Sequence, residues 1–202
     1  MNALASICGR VDAVAIGASA GGVEALSVLL PALPASSRLP VLIVLHQPRD
    51  RPSLLVEIFG PKCAVPVREA EDKEPVQPGT IYFAPPDYHM LVDAGPCLAL
   101  SSDEQVNYSR PSIDVLFESA ADVYGERLLG ILLTGANEDG AAGVACIRCA
   151  GGVTIVEQPD TAQAPSMPAS ALKRTPVDGI LSLPEIAEVL RGLHRDSRNT
   201  VR

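Results

Sequence analysis

The chain has 202 residues, 47% of them hydrophobic, and a formal net charge of −8. That length suits one domain with a sizeable core, and that apolar content argues against disorder. The acidic balance argues against a nucleic-acid role, which needs clustered Lys and Arg, and no stretch approaches the ~18 apolar residues of a membrane span.

Ten residues precede the first predicted strand, Val11–Ile16, too few for a signal peptide. The strand runs into Gly17-Ala18-Ser19-Ala20-Gly21-Gly22, whose Gly17-x-Ser19-x-Gly21 spacing matches the nucleophile elbow. Glycine tolerates the strained angles of such a turn and lets the helix start pack closely on the strand. A serine there stands at the mouth of a sheet beside unpaired N–H groups of a helix start. The plainer alternative is that Ser19 is a helix cap.

A helix is predicted over Gly22–Leu30, then a second apolar strand over Val41–Leu45 that ends at His46. A helix at Ser53–Phe59 and strands at Ala64–Val67 and Thr80–Ala84 follow. His89–Val92 and Cys97–Leu100 flank Asp93-Ala94-Gly95-Pro96 and read as an antiparallel hairpin. The polar stretch Ser101–Arg110 reads as an exposed loop. In the helix Ser112–Tyr124, the residues Ile113, Leu116, Phe117, Ala120 and Tyr124 recur at helical spacing, between Pro111 and Gly125. Leu128–Leu133 is a buried strand that delivers Asp139, and a helix at Asp139–Ala150 follows. Strands at Val153–Val156 and Gly179–Leu183 and helices at Pro168–Lys173 and Pro184–His194 complete the order. The last of these sets His194 at a helix C-terminus. This alternation predicts a doubly wound α/β fold: a mostly parallel sheet of about seven strands, helices on both faces, and an antiparallel hairpin near the edge. The predicted domain is 11–193, with short tails at 1–10 and 194–202.

Ser19, His46 and Asp139 each follow the carboxyl end of a predicted strand, the edge at which open parallel sheets bind ligands. A hydroxyl is a weak nucleophile until a base takes its proton. Histidine does so near neutral pH, and a carboxylate fixes its tautomer. The order Ser…His…Asp is not that of the α/β-hydrolases. Taken singly, His46 could be a rim histidine, Asp139 a cap of its own helix with Glu138 as competitor, and His89 a rival base. The glycine turn lacks the full dinucleotide fingerprint, since Ser19 holds the second glycine position and His46 stands where a ribose-binding acid is expected. Five scattered cysteines indicate no disulfide framework and a cytoplasmic setting. Cys146-Ile147-Arg148-Cys149 is a lone C-x-x-C, read as two small core-side residues. No metal site and no cofactor is expected.

Ile16-Gly17-Ala18-Ser19-Ala20-Gly21-Gly22, His46-Gln47-Pro48, Ala84-Pro85-Pro86-Asp87-Tyr88-His89-Met90, Arg110-Pro111-Ser112-Ile113-Asp114-Val115-Leu116-Phe117, Leu133-Thr134-Gly135-x-x-x-Asp139-Gly140-Ala141 and Pro165-Ser166-Met167-Pro168 occur in one order over Val11 to Leu193. Together they resemble the catalytic domain of CheB-type chemotaxis methylesterases. The resemblance implies a catalytic triad at Ser19, His46 and Asp139, with backbone N–H groups at Ala20 and Ala136 receiving the oxyanion. It implies hydrolysis of glutamate γ-methyl esters, and in many members deamidation of glutamines, on the cytoplasmic helices of methyl-accepting chemoreceptors. The pattern departs from the family at Ala20, usually threonine, and at Ala136, usually methionine. The expected chain is a stand-alone version without a receiver domain, regulated by a separate receiver or other chemosensory protein. Two further readings stay open: a serine esterase with another substrate, and a catalytically weakened binding or regulatory module of a chemosensory array.

Overall fold

The strand β1 (Ala13–Ala18) sets the pattern of the fold. Its Val14, Ile16 and Ala18 face one hydrophobic layer and its Ala13 and Ala15 the other, with all six residues buried. A strand buried on both sides needs apolar residues at every position, so it shows no alternation in sequence. In this computed structural model, which describes residues 10–193, the elements run α1 (Gly22–Leu29), β2 (Val41–Leu45), α2 (Leu55–Phe59), β3 (Val67–Glu69), β4 (Ile81–Phe83), β5 (His89–Asp93), β6 (Cys97–Ser101), α3 (Ile113–Tyr124), β7 (Leu128–Leu132), α4 (Ala141–Cys149), β8 (Val153–Glu157), α5 (Ser166–Arg174), β9 (Gly179–Leu181) and α6 (Leu183–Gly192). The expected tails, apart from Arg10, and the placement of His194 lie outside the described residues.

Seven strands form one parallel sheet in the order β3-β4-β2-β1-β7-β8-β9, and β5-β6 form a separate antiparallel pair. Side chains of α1, α2 and α6 fill one layer; those of α3, α4, α5 and the hairpin fill the other. The hairpin is tied to the connection after β3, where Leu98 N–H donates to Glu74 O and Lys73 N–H to Leu98 O. From β1 the chain moves first to β2 on one side and later to β7 on the other. That reversal is the switch point of a doubly wound sheet, and it opens a crevice above β1.

Of the boundaries that differ from the sequence reading, two have a direct physical reason. The edge strand β3 starts at Val67, not Ala64, because Pro66 has no N–H to give to the ladder. In contrast, β1 continues through Gly17 and Ala18, which pair with Val44 and Leu45 of β2. Glycine is needed at position 17 because a Cβ there would collide with Ile113 of α3.

Candidate active site

Ser19 leaves β1 with its N–H donated to Thr134 O at 2.9 Å, and His46 leaves β2 with its N–H donated to Ala18 O at 3.1 Å. The serine is therefore held between the ends of β2 and β7. The expected backbone strain falls on Gly21, with φ 80°, which begins α1; Ser19 itself keeps an ordinary negative φ. Ser19 is not a side-chain cap of α1. Its Oγ makes no hydrogen bond among the described residues, and the side chain is half-buried.

His46 and Asp139, 93 residues apart in sequence, are joined directly: Nε2 of His46 lies 2.8 Å from Asp139 Oδ2. An ionised carboxylate only accepts hydrogen bonds, so Nε2 carries the proton and donates it. Nδ1 is then the basic nitrogen, and it has no partner among the described residues. Ser19 and His46 both line a cleft of about 450 Å³, whose apolar wall includes Val23, Leu45, Leu54 and Ile58. Gln47 lines it as well, with its buried Nε2 unpartnered among the described residues. A hydrogen bond from Ser19 to His46 is not made in this structure. Such bonds often form only when substrate is bound.

Asp139 is fully buried and does not cap its own helix, which starts from Gly140. It caps α3 instead. Ile113 N–H donates to Oδ2 at 2.6 Å, while Ser112 Oγ at 2.7 Å and Asp114 N–H at 3.2 Å donate to Oδ1. Burial pushes its carboxyl up, but the hydrogen bonds from His46, Ile113, Ser112 and Asn107 outweigh burial and hold it below the ordinary carboxylate range. Asp139 is thus an anion at neutral pH, able to orient His46 and to favour its protonated form during turnover. The adjacent Glu138 is exposed and does not compete.

The rival base is ruled out by its own bonding. His89 is buried, its Nδ1 accepts the Ser112 N–H at 3.1 Å, and its Nε2 donates to Glu104 O at 3.0 Å. Neither nitrogen is available for proton transfer. We expect His89→Ala to slow labelling of Ser19 by a fluorophosphonate less than ~10-fold, and His46→Ala to slow it at least ~10³-fold, measured side by side.

Ala20 and Ala136 are exposed at the crevice, and neither N–H donates a hydrogen bond among the described residues. Thr134 fixes both turns. Its Oγ1 donates to Ala20 O at 2.8 Å and accepts the Ala164 N–H at 2.8 Å, while its N–H donates to Glu157 Oε2 at 2.8 Å. Glu157 is buried, and burial pushes its carboxyl up against the opposing Thr134 N–H.

Several supporting residues were not singled out in the sequence. Ser112 and Thr134 lie inside motifs without a role of their own, and Glu157 falls just beyond the strand expected over Val153–Val156, which the structure extends by that residue. Asn107 was assigned to an exposed polar loop. Its amide in fact reaches Asp139 Oδ1 at 3.1 Å, which corrects that reading for part of the loop. Arg110 pins the same loop by pairing with Asp87, Nη2 to Oδ1 at 2.7 Å, and by donating to Ser102 O and Asp103 O. A second correction concerns the C-x-x-C pair. Cys146 and Cys149 are both exposed, because α4 buries the stripe Ala141, Val144 and Ile147 and turns the cysteines outward.

Comparisons with known proteins bear on the family and the fold. The family profile of the CheB methylesterase matches residues 14–190. A Leptospira interrogans protein named "Putative protein-glutamate methylesterase/protein-glutamine glutaminase" is 43% identical over 186 residues, covering 92% of this chain and 96% of that one. The protein-glutamate methylesterase/protein-glutamine glutaminase 2 of Caulobacter vibrioides is 38% identical over 182 residues, and this chain spans 52% of its length. The crystal structure of the Thermotoga maritima CheB methylesterase catalytic domain superposes with a TM-score of 0.86 at 32% identity, covering 90% of this chain and 97% of that one. With the profile running from β1 to α6 and the solved domain reproducing the sheet that carries Ser19, His46 and Asp139, the chain belongs to the CheB methylesterase family.

Proposed function

We propose that residues 11–193 form the catalytic domain of a serine hydrolase that removes methyl groups from glutamate γ-methyl esters on the cytoplasmic helices of methyl-accepting chemoreceptors. The same site deamidates glutamine side chains, which present an isosteric carbonyl. The observation that carries this reading is the 2.8 Å pair of His46 and Asp139 at the carboxyl edge of the sheet, in one cleft with an unbonded Ser19 hydroxyl. The family membership and the paired activities named for the relatives support the choice of substrate. No described helix is long and apolar enough to cross a membrane. We assign the chain to the cytoplasm, with a separate receiver or another chemosensory protein as its regulator.

Ser19 Oγ attacks the ester carbonyl as His46 Nδ1 takes its proton. The N–H groups of Ala20 and Ala136 receive the oxyanion, and no side chain is required at either position for that task. Collapse of the tetrahedral intermediate breaks the bond to methoxide, which leaves as methanol with the proton from His46. Water, deprotonated by His46, then attacks the acyl-serine, and the glutamate side chain departs as Ser19 regains its proton. The apolar wall of the cleft suits a methyl ester on a helix flank.

The test is methanol release by the purified chain from methylated receptor helices, run beside a generic small ester. We expect release from the receptor with kcat/KM well above that for the small ester. Activity on the small ester alone would assign a different substrate. Failure to react with either, and with a fluorophosphonate, would leave a binding module.

A further inference from the structure

Beside the triad lies a second buried carboxylate that the reaction above does not use. Asp114, the second residue of α3, is 5% exposed and sits within the same hydrogen-bond network as Asp139. Its Oδ1 accepts the Gly143 N–H at 2.6 Å, and its Oδ2 accepts Nδ2 of Asn107 at 2.8 Å. The same Nδ2 donates to Asp139 Oδ1 at 3.1 Å. One amide therefore spends both of its protons on two acids that would otherwise face each other bare. Like charges so placed oppose each other's ionisation unless donors are interposed.

The way Asn107 is presented argues that this bridge is built for a purpose. Val106 N–H donates to Ser109 O at 3.2 Å and Ser109 N–H to Val106 O at 2.9 Å, closing a tight turn. Both central residues, Asn107 and Tyr108, have positive φ, 51° and 60°, the signature of a type I′ turn. Asparagine tolerates this conformation; tyrosine does so at a cost. Tyr108 gains nothing by burial in return, since it is 96% exposed at the turn tip. The strain is held by the inward contacts of Asn107 and by the Arg110–Asp87 pair that anchors the segment leading into α3.

We propose that Asn107 and Asp114 are positioning residues of the Ser19–His46–Asp139 triad, acting through the Asp139 carboxylate, with the negative charge of Asp114 reinforcing the field that Asp139 exerts on His46. This rests on the hydrolase reading above and deepens it. Neither residue lines the cleft that holds Ser19 and His46. The Asn107 amide fixes the rotation of the carboxylate so that Oδ2 stays aimed at Nε2, while the α3 N-terminus holds its other lone pairs.

The groups facing Asp114 are Asp139, Glu118 of its own helix, Cys146 of α4, the Gly143 N–H and the Asn107 amide. Burial pushes the Asp114 carboxyl up, opposed by the Gly143 N–H and the Asn107 amide and reinforced by the Asp139 and Glu118 charges, to about 6. Asp114 thus changes charge within the pH range in which a triad base works.

The experiment measures the rate of Ser19 labelling by a fluorophosphonate between pH 5 and 9, with thermal unfolding at each pH, for the wild-type chain and three variants. Asn107→Gly removes the amide while keeping the positive φ, and we expect labelling, measured well below the unfolding transition, to fall about 10- to 100-fold, with the unfolding temperature also lowered because two buried carboxylates lose a shared donor. Asp114→Asn removes the second charge, and the acid limb of the profile moves down by roughly half a pH unit or more. Asn107→Asp adds a third carboxylate, and the limb moves up. Opposite displacements by the two charge changes are something a merely structural role would not produce. Should Asp114→Asn fail to fold, the Asn107→Asp displacement decides alone. Wild-type limb positions in every folded variant, or rates that fall by one factor at all pH values in step with unfolding temperature, would overturn the proposal. A wild-type chain that resists labelling would instead overturn the hydrolase reading on which it rests.

Discussion

We expect the Ser19→Ala variant to release methanol from methylated receptor at least ~10³-fold more slowly than the wild-type chain, yet to unfold at nearly the same temperature. The two halves of this expectation have separate physical origins. In the proposed mechanism the hydroxyl oxygen forms the acyl bond, so without it only the oxyanion donors and binding remain to lower the barrier. The same hydroxyl makes no hydrogen bond among the described residues, so its removal leaves no buried group unsatisfied. What holds the turn is backbone: Ser19 N–H to Thr134 O, Gly22 N–H to Ser19 O, and Thr134 Oγ1 to Ala20 O. Turnover and thermal melting measured on one preparation check both halves. Near-normal methanol release would remove Ser19 from the nucleophile role.

Asp139→Asn behaves differently, losing both catalysis and stability. Turnover falls by about 10⁴, because the amide presents N–H where His46 needs an acceptor and the imidazole loses its tautomer. Stability falls by about 3 kcal/mol or more, because the donors from His46, Ser112, Ile113, Asp114 and Asn107 converge on two oxygens and an amide offers only one. The pH dependence of that loss follows from the sign of the shift. The native carboxyl titrates below its ordinary value, so its stabilising contribution is complete above about pH 4. It is lost as pH falls through the lower native value, where the protonated acid is also a poorer acceptor. Chemical denaturation of both proteins at neutral pH and at pH 2–3 should therefore show the gap narrowing in acid. A gap that widens in acid would contradict the assignment of Asp139 as a buried anion.

The contrast separates two kinds of triad member. In the proposed mechanism the Ser19 side chain is chemically indispensable yet makes no hydrogen bond among the described residues, whereas Asp139 is the N-terminal cap of α3 as well as the partner of His46. Binding α3 to the end of β7 through one carboxylate makes the catalytic geometry depend on the packing of that helix. Ile113, whose N–H donates to Asp139, also lies over Gly17, just before the serine turn.

Much of this was readable from local pattern. The apolar runs at Val41–Leu45 and Leu128–Leu132 mark strands buried on both faces, because only a covered parallel strand forgoes alternation. The stripe Ile113, Leu116, Phe117, Ala120, Tyr124 marks the buried face of α3 through the 3.6-residue period, and all five are buried. Strand ends followed by Ser19, His46 and Asp139 follow from the same periodicities. The polar residues that support the site were not readable in this way. Asn107 sits in a stretch with no period, and nothing about an asparagine between Val106 and Tyr108 distinguishes an exposed turn from a bridge between two buried acids. The exposure of Cys146 and Cys149 likewise depended on which flank of α4 met α3, where Gly143 admits Phe117.

By itself, then, the order of residues determined the elements, the parallel sheet and the set of groups delivered to its carboxyl edge, because backbone periodicity and turn chemistry act over a few neighbours. Tertiary structure alone decided which nitrogen of His46 faces the carboxylate, that His89 is engaged elsewhere, and that Asp139 caps α3 instead of its own helix. Those choices depend on contacts between segments tens of residues apart, where burial makes each hydrogen bond either satisfied or costly, and no local rule carries that information.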